Sequence, residues 1–160
     1  MHEKSIELLN RALGEELSAV HQYMYFHFHL DDLGYHPLAG LMKRTSIGEM
    51  MHAEELAERI LFLGGEVEMV VLDPVQNIRE PKAMLERARA MEDASVEFYN
   101  AAAQECAQNA DAASKKVFEE LVADEEGHSA MFDQQIQYIE RFGERFLALQ
   151  SLEAGETEGE

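Results

Sequence analysis

Two short stretches, "EMMH" at 49–52 and "EEGH" at 125–128, each place a glutamate three residues before a histidine. On an α-helix that spacing puts both side chains on one face, one turn apart, where they can hold the same ion. Carboxylate oxygen and imidazole nitrogen together suit iron, manganese or zinc. Stepping along each stretch by threes and fours gives Thr45, Glu49, His52, Leu56, Ile60 and Leu63, and then Leu121, Glu125, His128, Phe132, Ile136 and Ile139. Both pairs therefore sit on the apolar stripe that a helix turns inward.

The two stretches are 76 positions apart (49 to 125, 52 to 128), and the same offset relates Glu16 to Glu92, Val20 to Val96 and Tyr23 to Tyr99. Glu16 and Glu92 also fall on apolar stripes, so the chain reads as two copies of one helical hairpin. Four carboxylates and two imidazoles then converge in one interior. An unpaired buried carboxylate costs several kcal/mol, and four would repel one another. No lysine or arginine shares these stripes. Two divalent metal ions would cancel the four charges, which is the arrangement of dinuclear carboxylate sites in helix bundles.

Four long periodic segments must position these groups: about Glu3–Leu33, Leu38–Leu63, Pro81–Cys106 and Ala112–Phe142. Gly34 and Pro37 punctuate the first break, Gly64 and Gly65 the second, and Pro81 suits a helical first turn. Helices of about 25 residues are about 38 Å long. The stretch "GGEVEMVVLDPVQNIRE" is rich in valine, contains Pro74 and has the length of a crossover. Two short connections and one long one make an all-α, antiparallel four-helix bundle. "ERFLALQSL" after Gly143 predicts a short fifth helix. The expected organisation is one domain over 1–150 and an acidic, disordered tail over 151–160.

Abundant Ala, Leu, Glu and Met support helix throughout. The net charge of −19 argues against nucleic acid and anionic membrane as partners. It favours cations, although an acidic surface also serves solubility. Cys106 is the sole cysteine, which excludes an intrachain disulfide and a thiolate cluster and suits a reducing cytoplasm. The N-terminus lacks the build of a signal peptide, and no apolar run has the length of a membrane span.

From "LGEELSAVHQY" through "EMMHAEELAERILFLGG" to "LVADEEGHSAMF", the sequence resembles the bacterioferritins of the ferritin-like superfamily. The resemblance implies that Glu16 and Glu92 are terminal carboxylates, Glu49 and Glu125 bridging carboxylates, and His52 and His128 imidazole ligands of a di-iron ferroxidase centre. It implies oxidation of Fe(II) by oxygen or peroxide, storage of Fe(III) mineral in a twenty-four-subunit shell built from two-fold dimers, and a cytoplasmic protein. Iron release by electrons from a ferredoxin is a further implication. It also matches Met50 to a methionine that binds haem iron, one from each of two subunits. Taken by itself, Met50 points about 100° away from Glu49 and reads as an adaptable packing residue at a helix–helix contact; the resemblance is what favours haem ligation.

One departure from the family concerns an inner-surface iron site that some members build from a histidine and an aspartate. Arg44 and Gly48 stand at those positions here. Tyr23 is an accessory candidate, either a core aromatic or a donor to a site carboxylate that could lose an electron to the metals. His21, His27 and His29 look like a ligand cluster, but positions 27 and 29 face different sides of a helix, and surface or interface packing is the expected role. The alternative function is a rubrerythrin-like peroxidase or a manganese catalase using a similar bundle. A single cysteine excludes the cysteine-ligated iron domain usual in rubrerythrins, and the acidic tail argues against a DNA-protecting shell.

Overall fold

The computed structural model describes residues 2–157. Four long helices, α1 (Glu3–Asp32), α2 (His36–Phe62), α3 (Pro81–Gln108) and α4 (Ala112–Phe142), are followed by the shorter α5 (Arg145–Thr157). The closest packing is within two hairpins, α1 on α2 and α3 on α4. Among the described residues no helix is long and apolar enough to cross a membrane.

Helix boundaries follow local chemistry. Pro37 starts α2 from within its first turn instead of merely ending the previous break. At α3, the Glu80 carboxylate accepts from the backbone N–H groups of Lys82 and Ala83 at 3.1 and 2.6 Å. Asp111 caps α4 by accepting from Ser114 N at 3.0 Å and also receives Arg59 Nη2 from α2 at 2.8 Å. Burial works against that carboxylate, yet its bonds with Ser114, Ser5 and Arg59 hold it down at about 2. One residue thus starts a helix and ties it to the other hairpin.

The expectation of a disordered tail from 151 fails over 151–157, where α5 continues to Thr157. Leu147 is buried against the bundle core with Phe146 beside it, which anchors the helix, and Ser151 Oγ donates to Leu147 O at 2.8 Å. Alanine, glutamate and leucine then extend it at low cost. The rest of the expected tail, 158–160, lies outside the described residues.

The crossover between α2 and α3 forms no strand. It lies along a track on α1 made by Asn10, Gly14, Ser18 and Gln22, which recur every four residues and so line one edge of the helix. Asn10 exchanges hydrogen bonds with Glu66 O and Glu68 N, both at 2.9 Å. Ser18 Oγ accepts from Leu72 N and Asp73 N at 3.0 Å, and Gln22 exchanges bonds with the backbone of Gln76. Side chains here satisfy the backbone groups that a sheet would otherwise pair.

Gly14 leaves the groove in that track. A Cβ at this position would stand 2.7 Å from Leu72 Cγ and 2.9 Å from Val70 O. Gly14→Ala should therefore destabilise the protein by about 1–3 kcal/mol despite its better helix propensity. Thermal unfolding would show this as a midpoint lowered by about 2–4 °C per kcal/mol; an unchanged or raised midpoint would mean that the crossover is not seated in this groove.

Candidate metal centre

The apolar interior is divided into two clusters. One contains Tyr23, Phe26, Leu30, Met42, Leu85 and Phe132, and the other Leu9, Leu13, Leu56, Ile60, Tyr99 and Phe118. Glu16, Glu49, His52, Glu92 and Glu125 lie buried between them, with His128 at the edge of the same layer. All six residues expected from spacing are thus brought together, two from α2, two from α4 and one each from α1 and α3.

Ligand-type atoms of Glu16, Glu49, His52 and Glu125 all lie within 4.8 Å of one another, and those of Glu49, Glu92, Glu125 and His128 do likewise. The two groups share Glu49 and Glu125. Glu49 turns one oxygen to each histidine, Oε2 to His52 Nδ1 at 2.9 Å and Oε1 to His128 Nδ1 at 3.0 Å. Glu125 repeats the pattern, with Oε1 at 2.8 Å from His52 Nδ1 and Oε2 at 3.6 Å from His128 Nδ1. The two imidazole rings lie 5.9 Å apart, 26° from parallel.

The donor set fits two cations. Glu125 Oε1 is buried and, although close to His52 Nδ1, lacks a bonded partner. An orphaned carboxylate oxygen in a closed layer is costly unless a cation completes it.

The tyrosines cross between the hairpins. Tyr23 Oη donates to Glu92 Oε1 at 2.6 Å, and Tyr99 Oη donates to Glu16 Oε1 at 2.5 Å. The carboxylate that Tyr23 meets lies on the other hairpin and not on its own helix. Burial first, and then the charge of Glu92 or Glu16, pushes each phenol well above its ordinary value, so both stay protonated and keep donating.

Protons hold the cluster together where metal would. Burial opposes charge on both histidines, yet His52 is raised far above its ordinary value by Glu125, Glu16 and Glu49, and His128 up to about 12 by Glu125, Glu49 and Glu92. Burial and then a hydrogen bond with Glu125 push Glu92 up to about 7. Burial, with the charges of Glu16 and Glu92, raises Glu49 well above a usual carboxyl. Burial would raise Glu125 too, but Glu92 first, and then the nearby His128 and His52, hold it below.

An open pocket of about 590 Å³ lies over the histidines, walled by Gly48, Met51, Glu55, Glu58 and Asp124. Asp124 Oδ2 lies 3.1 Å from His52 Nε2, a partner that inspection of the inward stripes does not reveal. Its signal in the sequence is a break in the repeat, since the position 76 residues before Asp124 is Gly48. Met50 is outside this pocket and 55% exposed, one turn from the exposed Ile47, so it makes no core packing within the chain. The three histidines of α1 separate: His27 Nδ1 lies 2.8 Å from Ala39 O, Arg79 Nη1 donates to His29 Nδ1 at 2.9 Å, and His21 is exposed.

A four-helix bundle with a layer of four buried carboxylates and two histidines that could hold two metal ions has the architecture of the dinuclear metal-carboxylate proteins. Residues 6–142 match the ferritin-like domain family. The bacterioferritin of Rhodobacter capsulatus is 40% identical over 147 residues, 91% of each chain. That of Desulfovibrio desulfuricans is 37% identical over 145 residues, 91% of this chain and 81% of the relative. The solved R. capsulatus structure, which has a metal-free dinuclear site and haem iron in a crystallographic special position, aligns with a TM-score of 0.89 at 38% identity over 92% of both chains. The D. desulfuricans structure, which shows a di-iron site in different catalytic states, aligns with a TM-score of 0.90 at 36% identity, covering 92% of this chain and 86% of that one. The chain belongs to the ferritin-like family and, within it, to the bacterioferritins. These relatives do not favour the peroxidase or manganese catalase alternative.

Between pH 4.5 and 7 the folded metal-free chain keeps a proton on Glu92 that the unfolded chain has released, so its stability falls as pH rises through that window. His128, raised from 6.5 to about 12, acts with the same sign above 6.5, and Glu125 acts oppositely only below 4.5. In chelator, the unfolding midpoint should be lower at about pH 7.5 than at about pH 5.5. Saturating Zn(II) should reverse the order, because the ligands must lose their protons to bind metal. A chelated protein whose midpoint rises across this window would contradict the assigned protonation.

Proposed function

We propose that the chain is an iron-storage protein with ferroxidase activity. Glu16 and Glu92 act as terminal carboxylates, Glu49 and Glu125 as bridges, and His52 and His128 as nitrogen ligands for two Fe(II) substrates. The observation that carries this reading is the pair of clusters sharing Glu49 and Glu125, with each shared carboxylate turning one oxygen to each histidine.

The residues divide the work. The four carboxylates supply the four negative charges that two Fe(II) ions neutralise, in a layer too dry to stabilise those charges otherwise. Tyr23 and Tyr99 orient Glu92 and Glu16 through their short hydrogen bonds, fixing the terminal oxygens before iron arrives. Each Fe(II) gives up one electron to a common oxygen or peroxide molecule, and the protons released by the histidines and Glu92 on binding are available to the reduced oxidant. The acidic pocket walls and the overall charge of −19 concentrate cations at the entrance.

Membership of the family supports storage in a hollow cytoplasmic shell of twenty-four subunits, with release driven by a ferredoxin-type reductant. Exposed apolar residues on α2 and the crossover, among them Ile47, Met50, Leu61, Met69 and Val70, support burial against further copies. Met50 fits a haem iron ligand: its soft thioether lies on an exposed apolar patch. The special position of the haem iron in the R. capsulatus relative supports a haem held between two copies, which would supply a one-electron redox centre at the interface.

Stopped-flow absorbance on metal-free protein mixed with Fe(II) and oxygen should show a fast phase that saturates at about two irons per chain. Glu16→Ala or Glu125→Ala should abolish that phase while assembly survives, and unchanged kinetics in either variant would sink the site assignment. For haem, Met50→Leu should remove the Soret band and leave the fast phase in place; full retention of haem would reject Met50 as the ligand.

A further inference from the structure

The two histidines of the centre are related by the internal repeat, yet their outer nitrogens meet different neighbours. His52 Nε2 lies 3.1 Å from Asp124 Oδ2 across the α2–α4 interface. The position related to Asp124 by the repeat (48 to 124) is Gly48, and the backbone there stands beside His128 in the corresponding place. A Cβ on Gly48 would lie 3.7 Å from both Cε1 and Nε2 of that ring. Gly48 offers that nitrogen no carboxylate, and among the described residues no hydrogen bond is made to His128 Nε2.

This difference bears directly on ligation. Nδ1 of each ring faces the shared carboxylates, so a metal ion must be bound through Nδ1 with the ring proton on Nε2. At His52, Asp124 accepts that proton's hydrogen bond, which selects the ligating tautomer and fixes the ring plane. Outer partners of this kind raise metal affinity by about 10–100-fold. At His128 neither tautomer nor ring plane is selected from outside, and the open pocket leaves room for the ring to turn.

Building on the dinuclear reading above, we propose that Asp124 is a positioning residue that locks His52 for metal binding, and that Gly48, by leaving His128 Nε2 unheld, makes the His128 position the weaker and later to fill. The centre is then ordered: the group containing Glu16 and His52 takes the first ion, and the group containing Glu92 and His128 takes the second. This order is built into two residues, Asp124 and Gly48, that break the internal repeat.

Titration of the metal-free protein with Co(II) alone, read by calorimetry and by the visible d–d spectrum, tests this without turnover. Two resolved steps of one ion per chain are expected. Asp124→Ala should weaken the tighter step by about 10–100-fold, change its Co(II) spectrum and leave the weaker step in place. The side chain is 61% exposed, so its removal spares the core. Asp124→Asn keeps an acceptor at that place and should restore most of the affinity. Gly48→Asp, for which the ring of His128 leaves ordinary contact distance, should tighten the weaker step by about tenfold and bring the two steps together. Two ions bound with equal affinity in the wild type, equal losses at both steps in Asp124→Ala, or an unmoved second step in Gly48→Asp would each overturn the ordering. Failure to bind two ions per chain at all would overturn the dinuclear reading itself, which stoichiometry distinguishes from the other outcomes.

Discussion

Packing four carboxylates into a layer between two apolar clusters is the constraint to which the rest of the molecule answers. Each oxygen needs a proton, a donor or a cation, because water is excluded and the carboxylates repel. Tyr23 and Tyr99 satisfy one oxygen each on Glu92 and Glu16. The remaining oxygens face inward, toward one another and the histidines, and converge on two places. In the absence of metal, protons occupy the cluster, and the raised Glu92, Glu49 and histidines describe how tightly they are kept. Proton and metal thus compete for one set of atoms, which ties folding stability, metal affinity and pH into a single equilibrium.

A layer of this kind tolerates little movement of the helices that carry it. The apolar clusters above and below hold the hairpins at a fixed depth, and Arg59 with Asp111 and Ser114 ties the end of α2 to the start of α4. The crossover adds a clamp along α1, where Asn10, Ser18 and Gln22 hold its backbone and Gly14 lets it approach. These polar side chains lie on a different edge of α1 from the inward-facing Glu16.

The bundle and the convergence of four glutamates and two histidines were legible in the sequence because both depend on periodicity. A carboxylate on an apolar stripe is conspicuous, and a repeat of 76 residues makes coincidence hard to sustain. What was not legible depends on how the helices face one another. The partner of Tyr23 is set by the neighbouring hairpin, so spacing along α1 could not single out Glu92. Asp124 lies beside the inward stripe and gains its meaning only from the proximity of α2. The crossover's seat combines a local signal, the four-residue recurrence of Asn10, Gly14, Ser18 and Gln22, with a long-range partner that no period announces. The extra length of α5 was missed because charge in the tail suggested disorder, whereas anchoring through Phe146 and Leu147 decided the matter.

The crossed tyrosines bear on how such a chain could have arisen. Each hairpin contributes the hydroxyl that the other hairpin's glutamate needs, and each E-x-x-H pair meets its counterpart only across the interface. Neither half contains a complete metal position. A half-length ancestor carrying this repeat could have assembled the centre only as a pair of identical chains, so gene duplication and fusion would have preserved an existing site instead of creating one. Within a single chain the halves need not match, and the aspartate beside His52 where a glycine stands beside His128 is one such difference.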